Sequence, residues 1–253
     1  MGNRQSAIGE SSSAGPSVAA AGASSSGASG PGPIHVVYGG TFDPVHLGHL
    51  AIARGARDAL GCAIHFTPAA DPPHRPPPGA DAAQRVRMLE LAIGDEAGLL
   101  LDRRELRRDG PSYTVDTLRE LRRDLGQAAP VALLLGADSL LGLPAWHQWT
   151  ALPELCHFIV ADREGSDLDA RLAPALAAAL EGRWSEDPDT LRAAPAGRAL
   201  RLHQPLHPGS ATGVRRAIDA GGAWRGLVPA AVADHIVNRR LYGVHGPDTA
   251  PPL

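Results

Sequence analysis

Short runs of hydrophobic residues alternate with longer amphipathic segments from residue 34 to residue 240. A short apolar run between turn residues is typical of a strand buried on both faces of a parallel sheet. Such runs lie at 34–38, 63–69, 98–102, 131–138, 156–163 and 198–203. Apolar residues at helical spacing predict helices at 47–60, 82–93 (with Val86, Leu89 and Ile93 as the buried stripe), 114–125, about 167–180, 211–221 and 229–240. Strands that alternate with helices predict an α/β fold, a doubly wound, Rossmann-like parallel sheet in a single domain.

The two ends of the chain differ from this pattern. Residues 1–33 are mostly Ser, Ala, Gly and Pro, with too little apolar surface to offset the entropy of ordering, so we predict a disordered tail. Residues 244–253 are expected to be frayed, which leaves 34–243 as the folded domain. The hydrophobic fraction is 43 %, yet no apolar run approaches the ~20 residues that span a bilayer, so we expect no membrane partner.

Charge and cysteine content narrow the classes of function. The net charge of −3 argues against broad binding to nucleic acid. All 24 basic residues are arginine, so a bound phosphate would be held by Arg, His or backbone N–H groups. The mixed-charge run from Asp102 to Asp109 is interpreted as a solvated face. Cys62 and Cys156 lack CxxC spacing, so we predict neither a disulfide nor a thiolate metal site, as suits a cytoplasmic protein.

The first predicted strand ends at Gly39-Gly40, where bare backbone allows a ligand to approach closely. We expect the N–H groups of Thr41 and Phe42, with the start of the helix at Leu47, to form an anion site. Further loops follow the second and fourth strands. Because the carboxyl ends of parallel strands share one edge of a sheet, the three loops are predicted to meet at one rim.

His46 and His49 lie three residues apart around the start of the first helix, so both rings can face the same point. One histidine could cap the helix while the other packs. The pair could instead bind zinc, with Asp43 as a candidate third ligand, although HxxH alone is short of ligands. In the third interpretation, two imidazole N–H groups stabilise charge on a phosphoryl group during its transfer. The adjacent anion site favours this third interpretation.

The stretch GTFDPVHLGHL resembles the T/HxGH signature of the adenylyl- and cytidylyltransferase superfamily. Six further stretches resemble bacterial nicotinate-nucleotide adenylyltransferases in the same order: PPHRP (72–76), QRVRMLELAI (84–93), LDRRELRRDGPSYTVDTL (101–118), LLGADSLLGLPAWHQW (134–149), HFIVADREG (157–165) and SATGVR (210–215). The resemblance runs, with gaps, from about residue 34 to residue 242.

This resemblance implies that the chain transfers AMP from ATP to nicotinate mononucleotide and forms deamido-NAD and pyrophosphate. The nucleophile would be a phosphate monoester, whose second pKa of about 6 makes it mostly dianionic at neutral pH, so no general base is required. His46 and His49 would donate hydrogen bonds to the ATP phosphates. Mg²⁺ would accompany ATP, bound mainly by phosphates and water.

In the family, the element that SATGVR resembles holds the β- and γ-phosphates of ATP, which implies that role for Ser210, Thr212 and Arg215. Capping of the helix by Ser210 alone is the simpler interpretation, and it uses the same exposed N–H groups. The common family pattern is ISST, whereas Ala211 of this chain lacks a hydroxyl.

The resemblance assigns the mononucleotide to other loops. His74 and Arg75, in the proline-stiffened PPHR loop, would close over it near its phosphate, and a solvated loop arginine is the alternative. Asp138, at the end of the fourth strand, would bind a ribose hydroxyl unless it caps the following helix.

The nicotinate ring needs a flat apolar surface and donors for its carboxylate. Trp146 is implied to stack on the pyridine ring, with a core tryptophan as the alternative, while Trp149 is assigned to packing. Backbone N–H groups near Thr114, Val115 and His147, with the Thr114 hydroxyl, would bind the carboxylate. The amide of nicotinamide mononucleotide would leave such donors without a partner, which favours nicotinate mononucleotide as the substrate.

Other functions remain as alternatives. One is a nicotinamide mononucleotide adenylyltransferase, and another is a different adenylyltransferase of the same fold. A nucleotide-binding regulator without catalysis is the alternative from another class. The sequence leaves the oligomeric state unpredicted.

Overall fold

Parallel strands form the centre of the fold. The computed structural model describes residues 32–70, 78–162, 166–205 and 209–244. Within these ranges the strands are β1 (His35–Gly40), β2 (Ile64–Pro68), β3 (Leu99–Leu101), β4 (Val131–Gly136), β5 (His157–Asp162), β6 (Trp184–Ser185) and β7 (Ala199–His203). They make one sheet in the order β3-β2-β1-β4-β5-β7-β6, and these strands pair in parallel throughout.

Helices cover both faces of this sheet. They are α1 (Leu47–Leu60), α2 (Ala82–Ile93), α3 (Thr114–Leu125), α4 (Ala137–Leu141), α5 (Leu152–Leu155), α6 (Leu168–Arg171), α7 (Pro174–Leu180), α8 (Ala211–Asp219) and α9 (Ala230–Asn238). Val36 and Val37, neighbours in β1, belong to different hydrophobic clusters, one on each face. α1, α2, α8 and α9 pack on the first cluster and α3 to α7 on the second. The predicted doubly wound sheet is confirmed.

Two local predictions differ from the structure. The predicted continuous helix at 167–180 is wrong, because α6 ends at Arg171 and α7 begins at Pro174. Proline has no N–H to donate, and it keeps the preceding Ala173 extended (φ −61°, ψ 143°). Strand β6 is missing from the prediction, because two residues are too few to show a pattern. It is defined only by its pairing with β7.

The structure tests only part of what was predicted about the domain limits, the two ends of the chain and membrane-spanning segments. The described residues belong to one compact unit, while the predicted domain limits, 34 and 243, stay a prediction. The predicted disordered tail and frayed end fall outside the described residues, except at 32–33 and 244. Among the helices that the structure describes, none is long and apolar enough to cross a membrane.

Two histidines stack at the amino end of the sheet. The ring centroids of His35 in β1 and His65 in β2 are 4.0 Å apart. Nε2 of His35 is buried without a hydrogen-bond partner among the described residues. Burial, and then the charges of His65 and Arg104, lower the pKa of His35 to about 4, although Asp102 acts in the opposite direction. Burial also lowers the pKa of His65. Protonation of either ring therefore opposes folding.

We expect the protein to lose stability as the pH falls from 6.5 toward 4. His35 binds its proton near pH 6.5 in the unfolded chain but only near pH 4 in the folded chain, so stability present above pH 6.5 is lost within this window. The loss from His35 is roughly 2 kcal/mol, or about 4–8 °C in Tm. Thermal melts of His35→Phe, which keeps a stacked ring but cannot titrate, should show a smaller loss. His203→Phe, at the exposed end of β7, is the control. Parallel pH profiles for His35→Phe and wild type would contradict the prediction.

Candidate active site

The chain changes direction across the sheet between β1 and β4. β1 leads to β2 and β3 on one side and β4 leads to β5 on the other, although β1 and β4 are neighbours. Ligands of such sheets bind outside the carboxyl ends of the strands at this point. Because β2, β1 and β4 are adjacent and parallel, their carboxyl ends lie at one edge, as predicted; most of the loop after β2 falls outside the described residues.

The turn after β1 presents two backbone N–H groups. Phe42 adopts a left-handed conformation (φ +51°), and a Cβ on Gly40 would lie 2.9 Å from its ring, so the turn requires glycine there. A Cβ on Gly39 would meet no described atom within 4 Å, which leaves its backbone approachable. Between the described residues, neither Thr41 N–H nor Phe42 N–H donates a hydrogen bond. Such N–H groups beside a left-handed residue are typical of an anion site.

His46 and His49 lie side by side at the start of α1. Their ring centroids are 3.7 Å apart, with an angle of 31° between the rings. His46 is buried and His49 is half-buried. The His49 ring also meets the Phe42 ring edge-on, at 5.0 Å between centroids. The two imidazoles therefore converge beside the turn, as their spacing predicts.

One hydrogen bond decides which nitrogen of His49 carries a proton. The backbone N–H of His46 donates to Nδ1 of His49 at 3.3 Å. The proton of the neutral ring is therefore on Nε2, which becomes a donor. This contact is the capping role that the structural interpretation expects, and it uses only Nδ1. Capping and charge stabilisation are compatible, because they use different nitrogen atoms.

The carboxylate of Asp43 is engaged by other groups of the protein. Its carboxylate accepts hydrogen bonds from Gly79 N–H (2.7 Å), Ala80 N–H (3.0 Å) and the Tyr242 hydroxyl (2.7 Å). Nη1 of Arg215 lies 3.5 Å from it. Across the described ranges, no group of three His, Cys, Asp or Glu side chains could hold a metal ion. The zinc interpretation thus finds no complete ligand set in this part of the chain.

A close contact brings α8 to the histidines. A Cβ on Gly48 would lie 2.9 Å from Nδ1 of His46 and 3.1 Å from the carbonyl oxygen of Gly209. Only glycine therefore fits between the two histidines, and Gly209 stands two residues before the first residue of α8. The predicted phosphate-binding element, residues 210–215, thus lies next to the histidine pair.

Arg215 in α8 contacts the turn after β1. Ser210 caps the helix, because its Oγ accepts from Gly213 N–H at 3.0 Å. Nη2 of Arg215 donates to Oγ1 of Thr212 (3.4 Å), and Nη1 donates to the carbonyl oxygen of Asp43. The guanidinium is held beside the turn with 35 % of its side chain exposed. The simpler capping role of Ser210 is confirmed, while the binding of ATP phosphates stays a prediction.

The predicted donors for the nicotinate carboxylate lie close together. The first intrahelical bond of α3 runs from Asp116 N–H to the carbonyl of Tyr113 (3.1 Å), so the N–H groups of Thr114 and Val115 lie at an open helix start. The Val115 side chain is fully buried, which leaves only its backbone for a ligand. The rings of Tyr113 and His147 are 4.2 Å apart, which brings the two predicted segments together.

Trp146 is half-buried at the edge of the hydrophobic cluster that α3 to α7 share with the sheet. A core tryptophan would be fully buried, whereas half-burial leaves part of Trp146 accessible to a ligand. Trp149 packs on the same cluster, as predicted. Stacking of Trp146 on a pyridine ring stays a prediction.

The remaining predicted ligands of the mononucleotide are Asp138, His74 and Arg75. Asp138 follows β4, and its side chain is 96 % exposed. The capping alternative for Asp138 is wrong, because Gly136 is the residue that caps α4. The ribose contact of Asp138 stays a prediction. His74 and Arg75 lie outside the described residues, so their roles also stay predictions.

A buried arginine in α2 is absent from the predicted site. The buried stripe of this helix consists of Arg85, Met88, Leu89 and Ile93, whereas Val86 is only half-buried. The prediction that Val86 belongs to the stripe is therefore wrong. Residue 85 lies three and four positions before Met88 and Leu89, and this helical spacing could have indicated its burial. A charged residue, however, is rarely assigned to a core face.

The interpretation of residues 102–109 as a solvated face is wrong in part. Glu105 is 6 % exposed and accepts a hydrogen bond from Oγ1 of Thr117, and burial raises its pKa. Arg108 also donates to Thr117 and pairs with Glu120 at 3.3 Å. These charges are covered by α3, which the alternation of charges in this segment cannot indicate.

Comparisons with known proteins identify relatives of this chain. Residues 37–217 match the family model described as cytidylyltransferase-like. A protein of Stenotrophomonas maltophilia (strain K279a), named "Probable nicotinate-nucleotide adenylyltransferase", is 61 % identical over 83 % of this chain and 96 % of its own length. A protein of the same name from Xylella fastidiosa (strain M12) is 49 % identical over 84 % of this chain and 97 % of its own length.

A solved structure shares the fold. The nicotinic acid mononucleotide adenylyltransferase of Plasmodium falciparum, complexed with NaAD, superposes with a TM-score of 0.65, covering 85 % of this chain and 99 % of that one. Its sequence identity is 14 %, so this likeness concerns the fold alone. From the family match and the two bacterial relatives, we conclude that the chain belongs to the nicotinate-nucleotide adenylyltransferases of the cytidylyltransferase-like family.

Proposed function

We propose that this chain transfers AMP from ATP to nicotinate mononucleotide, with deamido-NAD and pyrophosphate as products. The observation that carries the proposal is the pair of His46 and His49, with ring centroids 3.7 Å apart, beside a turn that presents two N–H groups. Relatives that are 61 % and 49 % identical are named for this activity. The Plasmodium protein of the same fold was solved with NaAD bound.

In the proposed reaction, the protein positions ATP and the phosphate of the mononucleotide and stabilises the charge of the transition state. The phosphate of nicotinate mononucleotide attacks the α-phosphorus of ATP, and pyrophosphate leaves. This nucleophile is already mostly dianionic at neutral pH, so no side chain has to remove a proton. The His49 Nε2–H and the His46 ring would donate to the phosphoryl oxygens as negative charge develops. The other proposed phosphate ligands are the N–H groups of Thr41 and Phe42, the start of α8 with Ser210 and Thr212, and Arg215.

Mg²⁺ is proposed to enter with ATP as part of the substrate. Asp43 lies in the turn that leads to His46, but its carboxylate already accepts hydrogen bonds from two backbone N–H groups and a tyrosine hydroxyl. It therefore has little capacity to bind a cation. Phosphate oxygens and water would supply the coordination that Mg²⁺ prefers.

The nicotinate end is proposed to bind where α3 begins. The N–H groups of Thr114 and Val115, at an open helix start, suit a carboxylate because they are donors at the positive end of the helix. The backbone N–H of His147 and the indole of Trp146 would complete this part of the site. The short distance between the Tyr113 and His147 rings supports this arrangement.

We expect kcat/KM to be at least about 100-fold higher for nicotinate mononucleotide than for nicotinamide mononucleotide, because an amide would leave buried donors unpaired. Steady-state assays with ATP that follow pyrophosphate release measure this ratio. Thr114→Val, which removes one donor and keeps both N–H groups, should reduce it. Thr190→Val, whose hydroxyl bonds to Asp187 on the surface, is the matched control.

Two results would contradict the proposal in different ways. Equal rates with the acid and the amide would contradict specificity for the acid and favour a nicotinamide mononucleotide adenylyltransferase. Binding of ATP without release of pyrophosphate in the presence of either mononucleotide would contradict catalysis and favour a nucleotide-binding regulator.

The cellular setting stays a prediction. Cys62 and Cys156 are free thiols, which suits the reducing conditions of a cytoplasm. The restriction of binding partners to ATP and nicotinate mononucleotide, without nucleic acid or membrane, also stays a prediction.

A further inference from the structure

Arg85 lies behind the turn after β1. Its side chain is 1 % exposed. Nη1 donates to the carbonyl oxygens of Thr41 (2.8 Å) and Ala69 (2.7 Å). Nη2 donates to Ala70 (3.0 Å), and Nε donates to Ala80 (3.2 Å). One planar group thus ties together the loop after β1, the loop after β2 and the residues that lead into α2.

These contacts orient two successive peptide groups of the turn. The carbonyl of Gly40 accepts from Ala69 N–H (3.0 Å), and the carbonyl of Thr41 accepts from Arg85. Both peptide groups are trans, so each N–H points opposite to its carbonyl. The N–H groups of Thr41 and Phe42 therefore point away from Arg85 and Ala69. Together with the left-handed Phe42, they form a concave pair of donors of the kind that binds anions.

We propose that Arg85 is a positioning residue for adenylyl transfer, because its hold on the Thr41 carbonyl aims the Phe42 N–H at the phosphoryl group. The identity of that phosphate rests on the proposed function, whereas the binding of an anion by the turn does not. Without Arg85 the Thr41–Phe42 peptide could rotate. A carbonyl oxygen would then face the phosphate in place of a donor and repel it.

Arg122 offers a matched control on the opposite edge of the sheet. It is 4 % exposed and, like Arg85, donates to backbone carbonyls, here those of Leu155, Ala129 and Pro195. These acceptors precede β4, β5 and β7, at the amino ends of the strands. Loss of either guanidinium should lower stability, but only Arg85 contacts the turn.

Arg85→Lys and Arg122→Lys keep the charge and lose the planar fork of donors. Assays run well below both melting temperatures should show kcat reduced about 100-fold in Arg85→Lys and changed by less than about 2-fold in Arg122→Lys. Calorimetry with pyrophosphate should show weaker binding in Arg85→Lys only. Near-wild-type kcat and pyrophosphate affinity in Arg85→Lys, or equal losses in the two variants, would overturn the proposal.

The wild-type protein provides a test that does not depend on the folding of a variant. Titration with pyrophosphate should move the amide proton resonances of Thr41 and Phe42 downfield as they form hydrogen bonds. Binding that leaves the Phe42 resonance unchanged would overturn the proposal. Wild-type protein that binds pyrophosphate through these amides without transferring AMP would refute the proposed function, but the orientation of an anion-binding turn by Arg85 would still stand.

Discussion

His49→Ala is expected to lower kcat for adenylyl transfer by about 100- to 1,000-fold while the protein stays folded. Alanine removes the Nε2–H donor that the hydrogen bond from His46 N–H to Nδ1 defines. In the proposed function, that donor acts where negative charge increases on the phosphoryl group, so its loss should raise the barrier more than it weakens binding of ATP. Steady-state pyrophosphate release measures kcat, and a thermal melt confirms the fold. A variant that retains most of the wild-type rate would refute this assignment.

Amide substitutions separate the capping role of His49 from its proposed role in charge stabilisation. The shorter amide of His49→Asn reaches only as far as Nδ1, so this variant can accept from His46 N–H but has no donor at the position of Nε2. The longer amide of His49→Gln reaches that position. We expect His49→Asn to be as inactive as His49→Ala, and His49→Gln to regain part of the rate. His203→Ala, at the exposed end of β7, should keep full activity. An active His49→Asn enzyme would leave capping as the only role of the ring.

Asp43→Ala is expected to destabilise the protein by about 3–5 kcal/mol. The carboxylate is 5 % exposed and accepts three hydrogen bonds, two of them from the backbone N–H groups of Gly79 and Ala80. Alanine leaves these buried donors without an acceptor and removes the carboxylate 3.5 Å from Arg215. Thermal melts should show a fall in Tm of about 10 °C.

Two further variants calibrate this effect. Tyr242→Phe removes one of the three hydrogen bonds and should destabilise the protein by about 1 kcal/mol. Asp234→Ala breaks an exposed ion pair with Arg225, 3.5 Å long, and should change the free energy of unfolding by less than about 0.5 kcal/mol. If Asp43→Ala proved no more destabilising than Asp234→Ala, the contacts of Asp43 would contribute little to stability.

Helices with long amphipathic patterns are the part of the fold that the sequence predicts best. The predicted limits of α1, α2 and α3 agree with the structure residue by residue. Each of these helices ends beside a glycine, and α2 also begins beside Asp81, which accepts from Gln84 N–H. The signals lie within a few residues of the helix that they delimit. Short elements such as β6 and α6 contain too few residues to show a repeating pattern of apolar positions.

The main features of the candidate site were also predictable. The shared edge at the carboxyl ends of β1, β2 and β4 follows from parallel topology, and the facing rings of His46 and His49 follow from helical spacing. The half-burial of Trp146 and the roles of Arg85 and Asp43 could not be predicted in the same way. Tyr242 and Asp43 are 199 positions apart, and Arg85 and Thr41 are 44 apart.

By itself, the sequence determined the alternating fold, the glycine turn and the histidine pair, because each depends on residues that are neighbours along the chain. Only the tertiary structure decided which charged side chains are buried, since a charge leaves water only where distant segments supply its hydrogen bonds. Arg85 finds four carbonyl oxygens in three segments, and Asp43 finds donors before α2 and near the end of the described chain. No local pattern contains these partners, because they become neighbours only when the sheet and its helices have assembled.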